Sequence, residues 1–317
     1  MMRILLIKTS SLGDVVHNLP VVGDLAAAHP GAVIDWVVEE SFAAIPRMHP
    51  GVARVWPVAV RRWRRSWWTS GTWSEIGAFR RELQAQTYDA VIDTQGLLKS
   101  AWIATLARGM RHGLDRVSAR EPLGWFYDRT WHVPWGQHAV ERNRSLAAQA
   151  LAYLPQGAPQ YGIVAMPQAF NCLPSSPYAV LLHATSAPRK LWPESHWIDL
   201  GRVLAASSVV SVLPWGDAAE RERSARLAAQ IPQAVVPERF ELHAMASLLA
   251  GARVVAGTDT GLTHLAGALG VPVVGIYCAT DPAATGLYGC AHAVNLGGID
   301  AAPPVDHVVA AVRGIMS

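Results

Sequence analysis

Lysine is nearly missing from this chain: of 27 basic residues only Lys8, Lys99 and Lys190 are lysines. Each lies in or beside a loop that follows a predicted strand. A compact ammonium serves a phosphate or a proton relay differently from a guanidinium, so lysines kept in an arginine-rich chain point toward chemistry. Cysteine is as sparse. Cys172, Cys278 and Cys290 are odd in number and lack metal-ligand spacing, which argues against a disulfide framework and predicts buried or inert thiols. Charged residues make up only 16% against 51% apolar, which excludes a disordered chain, and no apolar run approaches the roughly 18 residues of a membrane span. The segment Met1 to Lys8 has too short an apolar core for a secretory signal and runs straight into a strand-loop-helix unit, predicting a cytoplasmic protein. Neither a G-x-G-x-x-G nor a P-loop pattern occurs, no two aspartates are spaced D-x-D, and there is no fixed-period repeat or low-complexity tract.

What is present is a chain of 317 residues, long enough for two domains of about 150 residues, each with its own core. Residues 1 to 158 carry 18 Lys and Arg against 13 Asp and Glu, and the remainder carry 9 against 11, so the positive charge sits in the amino-terminal half. That half suits an anionic partner. Predicted strands alternate with helices: Arg3 to Lys8, Ala32 to Val38, Ala90 to Asp93, Tyr178 to His183, Val209 to Leu213, Arg253 to Ala256 and Val271 to Tyr277. The alternation predicts an α/β protein built of two doubly wound, Rossmann-like parallel-sheet domains. Leu154 to Pro177, rich in Pro, Gln, Gly and Ser, reads as their connection, giving domains 1–160 and 161–317 with the active site expected in the cleft between them.

Polar ligand groups cluster at predicted strand ends. Gly257-Thr-Asp-Thr-Gly-Leu-Thr-His264 puts a carboxylate, hydroxyls and helix-start amides on one loop, a place for an anion. Taken alone it is equally an ordinary capped connection. After Tyr178 to His183, Thr185 and Ser186 offer hydroxyls and Lys190 a cation, a set that suits a diphosphate or a solvated turn. Pro193 suits the first turn of a helix. In Pro214-Trp-Gly-Asp-Ala-Ala-Glu220, Glu220 either binds ribose hydroxyls or complements a helix dipole. In the amino-terminal half, Asp14 ends the loop Lys8-Thr-Ser-Ser-Leu-Gly-Asp14 before a helix predicted from about Val15, and reads as an N-cap or a general base. Arg61-Arg-Trp-Arg-Arg-Ser-Trp-Trp68 suits a phosphate-bearing, acylated amphiphile or an anionic membrane surface, the alternative being an exposed loop pinned by tryptophans. No nucleic-acid module accompanies it, so no nucleic-acid partner is expected.

Six ordered motifs then point one way: Lys8 to Asp14, Asp93-Thr-Gln-Gly-Leu-Leu-Lys-Ser100, Ala119-Arg-Glu-Pro-Leu123, His138-Ala-Val-Glu-Arg142, Leu213-Pro-Trp-Gly216 and Asp259-Thr-Gly-Leu-Thr-His264. On these the chain resembles the lipopolysaccharide heptosyltransferases, glycosyltransferase family 9, over nearly its whole length. The basic-aromatic segment Arg61 to Trp67 matches the type I branch. The resemblance implies a GT-B fold and inverting transfer of L-glycero-D-manno-heptose from ADP-heptose to the Kdo of Kdo2-lipid A, without metal or cofactor, by a peripheral protein on the cytoplasmic face of the anionic inner membrane. It makes Asp14 the base and assigns the donor to Thr185, Ser186, Lys190, Glu220, Asp259, Thr260, Gly261 and His264. It assigns the acceptor to Lys8, Arg61, Arg62, Arg64, Arg65, Lys99 and Arg120. Where the family often has Thr-Thr, this chain has Thr185-Ser186, which keeps the hydroxyl. A type II enzyme, or another family 9 enzyme with a different acceptor, is the alternative. A nicotinamide dehydrogenase lacks its glycine fingerprint here, an aspartic protease lacks a second Asp-Thr-Gly, and a non-catalytic ADP-sugar-binding module has no use for Asp14.

Overall fold

Eleven strands form two sheets in a computed structural model that describes every residue except Pro174, Ser175, Ser186 and Ser317. The chain divides into two compact units, Met1–Ile163 and Val164–Ser317. In the first, β1 (Arg3–Ile7), β2 (Val33–Glu39), β3 (Val52–Val58), β4 (Thr87–Asp93), β5 (Arg108–Leu114) and β6 (Arg129–Trp131) form one sheet in the order β3-β2-β1-β4-β5-β6. Every pairing is parallel. Ile4, Leu5, Leu6 and Ile7 are all fully buried, so helices cover both faces of β1 and the strand reads as a continuous apolar run. Chain order reverses between β1 and β4, and the loops leaving these two strands therefore diverge and open a crevice at their carboxyl ends.

The second unit repeats the scheme with β7 (Tyr178–Leu182), β8 (Val210–Val212), β9 (Val254–Thr258), β10 (Val273–Tyr277) and β11 (Ala293–Gly297), ordered β11-β10-β9-β7-β8 and parallel throughout. Its reversal falls between β7 and β9. Trp192, Trp197 and Leu200 pack with Val254, Val274 and Ile276 in its core.

The seven predicted strands are present within one or two residues at most ends, and β3, β5, β6 and β11 join them. Three local expectations change. The first helix runs Leu12–His17, so it begins three residues before Val15. Pro193 precedes the helix Glu194–Ala206 as its cap instead of lying in its first turn. The thiols are not uniformly hidden either: Cys278 is buried, Cys290 is half-buried and Cys172 is exposed.

Candidate functional site

At the β1/β4 reversal, the loop after β1 is tied to the loop after β4. Gln95 Oε1 accepts the amides of Thr9 (3.1 Å) and Ser10 (3.0 Å). Asp93 holds the second loop by accepting the amides of Gln95 (2.9 Å) and Gly96 (3.2 Å) and the Tyr127 hydroxyl (2.8 Å). Gly96 takes a positive φ of 65°, the left-handed conformation that such a tight return favours in glycine. Burial pushes the Asp93 carboxyl up, against the pull of these donors.

Onto this platform the helix Leu12–His17 brings Asp14. Asp14 is not the cap residue; Ser11 is, and Asp14 lies one turn inside, where Oδ2 accepts the Ser11 amide (2.6 Å) and hydroxyl (2.9 Å). This is the reciprocal half of a capping box, and the S-x-x-D spacing of Ser11 and Asp14 was its sequence signal. The half-buried carboxylate opens on a cavity of about 230 Å³ lined also by Lys8, Ser10, Gln95, Arg120 and Arg142. Lys8 is 6% exposed, and its ammonium donates to Thr94 O (2.7 Å) and Asn143 Oδ1 (3.1 Å) with no carboxylate in ion-pair range among the described residues. Burial pulls its pKa down, opposed by the fields of Asp14 and Asp93. Asn143 is fixed in turn by donating to His17 O (3.2 Å).

Arg142 ends the motif His138-Ala-Val-Glu-Arg142, and the fold gives it a place at this cavity. Its guanidinium stacks 4.0 Å from the Trp135 ring centre and donates to three carbonyls, Val133 (3.2 Å), Pro134 (2.7 Å) and Ser118 (2.8 Å). Like Arg120 it has no carboxylate partner among the described residues. Two guanidiniums without an ion pair among the described residues and a buried ammonium line one cavity, a set that suits an anion.

Arg61 to Arg65 belong to a short helix, Val60–Arg65, not a loop. Trp63 is buried beneath it. Arg62 is committed to Glu75 (2.7 Å at both nitrogens) and Glu40 (3.1 and 3.3 Å), so it ties this helix to its neighbours. Arg61, Arg64 and Arg65 are exposed and make no ion pair among the described residues. Lys99 sits in the first turn of the helix Leu98–Leu106, and its ammonium donates to Ser10 Oγ. Its pKa is lowered, chiefly by desolvation.

In the second unit, at the β7/β9 reversal, Asp259 gathers three donors: Lys190 Nζ on Oδ2 (2.6 Å), Thr280 Oγ1 on Oδ2 (2.7 Å) and His264 Nε2 at Oδ1 (3.2 Å). Burial alone would raise this carboxyl, yet the bonds from His264, Lys190 and Thr280 hold it far below the usual range. Thr260 caps the helix Gly261–Ala268, whose first amides face out of the sheet's carboxyl end. Thr263 returns its hydroxyl to Thr258 O (2.6 Å), and Gly257 alone leaves room for that hydroxyl, since a Cβ there would collide with it. Thr258 Oγ1 bonds Leu182 O and Ala184 O (both 3.2 Å), locking the β9 loop to the β7 loop that carries Thr185 and Lys190. Ser186 lies outside the described residues. Glu220 is in the first turn of the helix Ala218–Ala228 and accepts the Gly216 amide (2.7 Å), while Asp217 caps that helix. Among the described residues no cluster of three or more His, Cys, Asp or Glu is arranged to hold a metal ion.

Two doubly wound units, one presenting a carboxylate among cations and the other a lysine beside a helix start at their respective strand reversals, define a glycosyltransferase of GT-B-like fold. A sequence profile of glycosyltransferase family 9 (heptosyltransferase) matches residues 76–308. Lipopolysaccharide heptosyltransferase 1 of Pseudomonas aeruginosa is 51% identical over 291 residues, covering 91% of this chain and 82% of that protein. The solved E. coli heptosyltransferase WaaC with ADP shares 44% identity and superposes with a TM-score of 0.90 over 99% of this chain and 100% of its own. The same enzyme with ADP-2-deoxy-2-fluoro heptose gives 0.84 at the same identity, over 99% of each chain. The chain belongs to glycosyltransferase family 9, the heptosyltransferases.

Proposed function

We propose that this enzyme moves L-glycero-D-manno-heptose from ADP-heptose to the Kdo of Kdo2-lipid A, with inversion and without a metal, in building the lipopolysaccharide inner core. The observation that carries the reading is Asp14: a carboxylate held open by Ser11 in a cavity ringed by cations. In the reaction Asp14 accepts the proton of the Kdo hydroxyl as that oxygen attacks the anomeric carbon of heptose, and the bond to ADP breaks through an oxocarbenium-like state. Lys8, Arg120 and Arg142 hold the acceptor's anionic groups beside the base, and Lys99 orients Ser10 in the same loop. Lys190, Thr185, Ser186 and the Thr260-Gly261 amides take the charge that builds on the departing diphosphate. Asp259 positions Lys190 with His264 behind it, and Glu220 reaches the ribose.

The first unit is the acceptor domain and the second the ADP-heptose domain. Arg61, Arg64 and Arg65, followed in the chain by the exposed Trp67, Trp68 and Trp73, support peripheral contact with the anionic cytoplasmic face of the inner membrane. No helix among the described residues is long and apolar enough to cross a membrane. The deciding assay offers ADP-heptose with Kdo2-lipid A or with its monoheptosylated form. Turnover of the first alone is expected, and turnover of the second alone would make the enzyme type II.

A further inference from the structure

Next to the catalytic cavity, and sharing Leu97 with it, lies a second hollow in the first unit of a different character. It measures about 830 Å³ and its walls are Trp67, Trp73, Ile76, Trp102 and Phe126. Trp67 and Trp73 are 63% and 59% exposed, an unusual outlay of indole surface on a soluble face. Such a groove is an apolar slot waiting for an apolar occupant. Two cations, Arg64 and Lys99, line it against one acid among the described lining residues, Glu121, whose carboxylate accepts the Leu98 amide (2.5 Å). The rim is also bound to the reaction centre, because Lys99 donates to Ser10 in the loop that carries Asp14.

We infer that this groove takes one fatty acyl chain of the acceptor, whose phosphate is held at the mouth by Arg64 and Lys99 while its sugar reaches the cavity beyond Leu97. The inference rests on the acceptor reading above and adds a subsite to it. Two features favour a single chain of an anionic amphiphile over other occupants: Arg64 and Lys99 line the groove together with its apolar walls, and the groove shares Leu97 with the cavity that holds Asp14. The enzyme would then recognise its acceptor by hydrocarbon as well as by charge, drawing the lipid partly out of its bilayer.

Monoalkyl phosphates from butyl to decyl, kept below their critical micelle concentrations, test this by calorimetric titration of the full-length protein. A methylene moved out of water is worth roughly a three- to fourfold gain in affinity. The parent should show that gain at each step until the groove is full. Ile76→Trp, which fills the groove, should reach its plateau at a shorter chain, and Trp67→Ser, at an exposed position that folding tolerates, should weaken the longer members several-fold. With Kdo2-lipid A as acceptor, Ile76→Trp should raise KM about tenfold while the KM for the fully deacylated acceptor stays as in the parent.

Affinity that ignores chain length, or an identical series in parent and Ile76→Trp, would overturn the inference. So would variants that lose only co-sedimentation with phosphatidylglycerol vesicles, since the aromatic face would then serve the bilayer alone. Should the parent turn over neither acceptor, the acceptor reading fails by itself, and the alkyl phosphate series still decides what the groove binds.

Discussion

Asp14 is the cap partner of Ser11 and, in the reaction proposed above, the base, and substitution separates the two roles. Asn at this position keeps an oxygen for the Ser11 amide but cannot take up the acceptor proton at neutral pH. Asp14→Asn should therefore hold its melting temperature and ADP-heptose affinity near the parent's while kcat drops by about 10² to 10⁴. An Asn variant with parental kcat would leave Asp14 as a helix-end residue only. Lys190→Ala tests the other unit. Removing a donor aimed at the leaving diphosphate should lower kcat by roughly 10² to 10³. Unchanged kinetics at both saturating and limiting ADP-heptose would reduce Lys190 to the ion-pair partner of Asp259. The positions of these side chains were legible in the sequence because each follows a strand in a parallel α/β pattern, where the carboxyl ends converge. Arg142 was not legible, since its meaning comes from three carbonyls and an indole brought to it by the fold. Nor could spacing reveal that Arg62 is spent on Glu40 and Glu75 while its neighbours are not.

Among the elements, β7 hands its chain to a buried histidine with a measurable signature. His183, fully buried, contacts Ser224 Oγ through Nε2 (2.9 Å), and desolvation, helped by the Arg223 charge, pulls its pKa down to about 4. The unfolded chain, with an ordinary histidine near 6.5, takes up this proton first as pH falls. Stability is therefore full above about pH 6.5 and lost as pH drops toward 4, by roughly 3 kcal/mol in all. Melting temperatures across that window should fall in the parent, and in His183→Asn this part of the slope should be missing. The helix Val60–Arg65 allows a second test. Replacing Arg61, Arg64 and Arg65 together by Gln, with Arg62 left to its carboxylates, should raise the acceptor KM and leave the donor KM unchanged. Added salt should reproduce that defect on the parent. If acceptor affinity is indifferent to the triple change, these arginines touch membrane alone. The strands the pattern missed share a physical cause. β3 and β11 are sheet edges, β6 is three residues long, and β5 reads Arg-Gly-Met-Arg-His-Gly-Leu, so none has the apolar run of a strand buried on both faces.

For the molecule as a whole, Asp14 in one unit and Lys190 with Asp259 in the other lie where strand order reverses, so one architectural rule locates the two halves of the proposed chemistry. In the proposed reaction Lys190 and the amides that start the helix Gly261–Ala268 meet the charge of the diphosphate without a metal. Turnover should survive EDTA, and an activity abolished by chelation and restored by Mg²⁺ would overturn that electrostatic assignment.

The scarcity of lysine has a practical consequence once the three amines are located. Lys8 is shut away under Thr94 and Asn143, whereas Lys99 and Lys190 are half-exposed, one in each unit. An acylating reagent applied briefly to the native enzyme will mark these two side chains and the chain's α-amine, and peptide masses will report each separately. Under the proposed assignment Lys190 becomes a gauge of donor occupancy and Lys99 of acceptor occupancy, so a chain with almost no lysine would carry a built-in two-channel footprint of its own substrates.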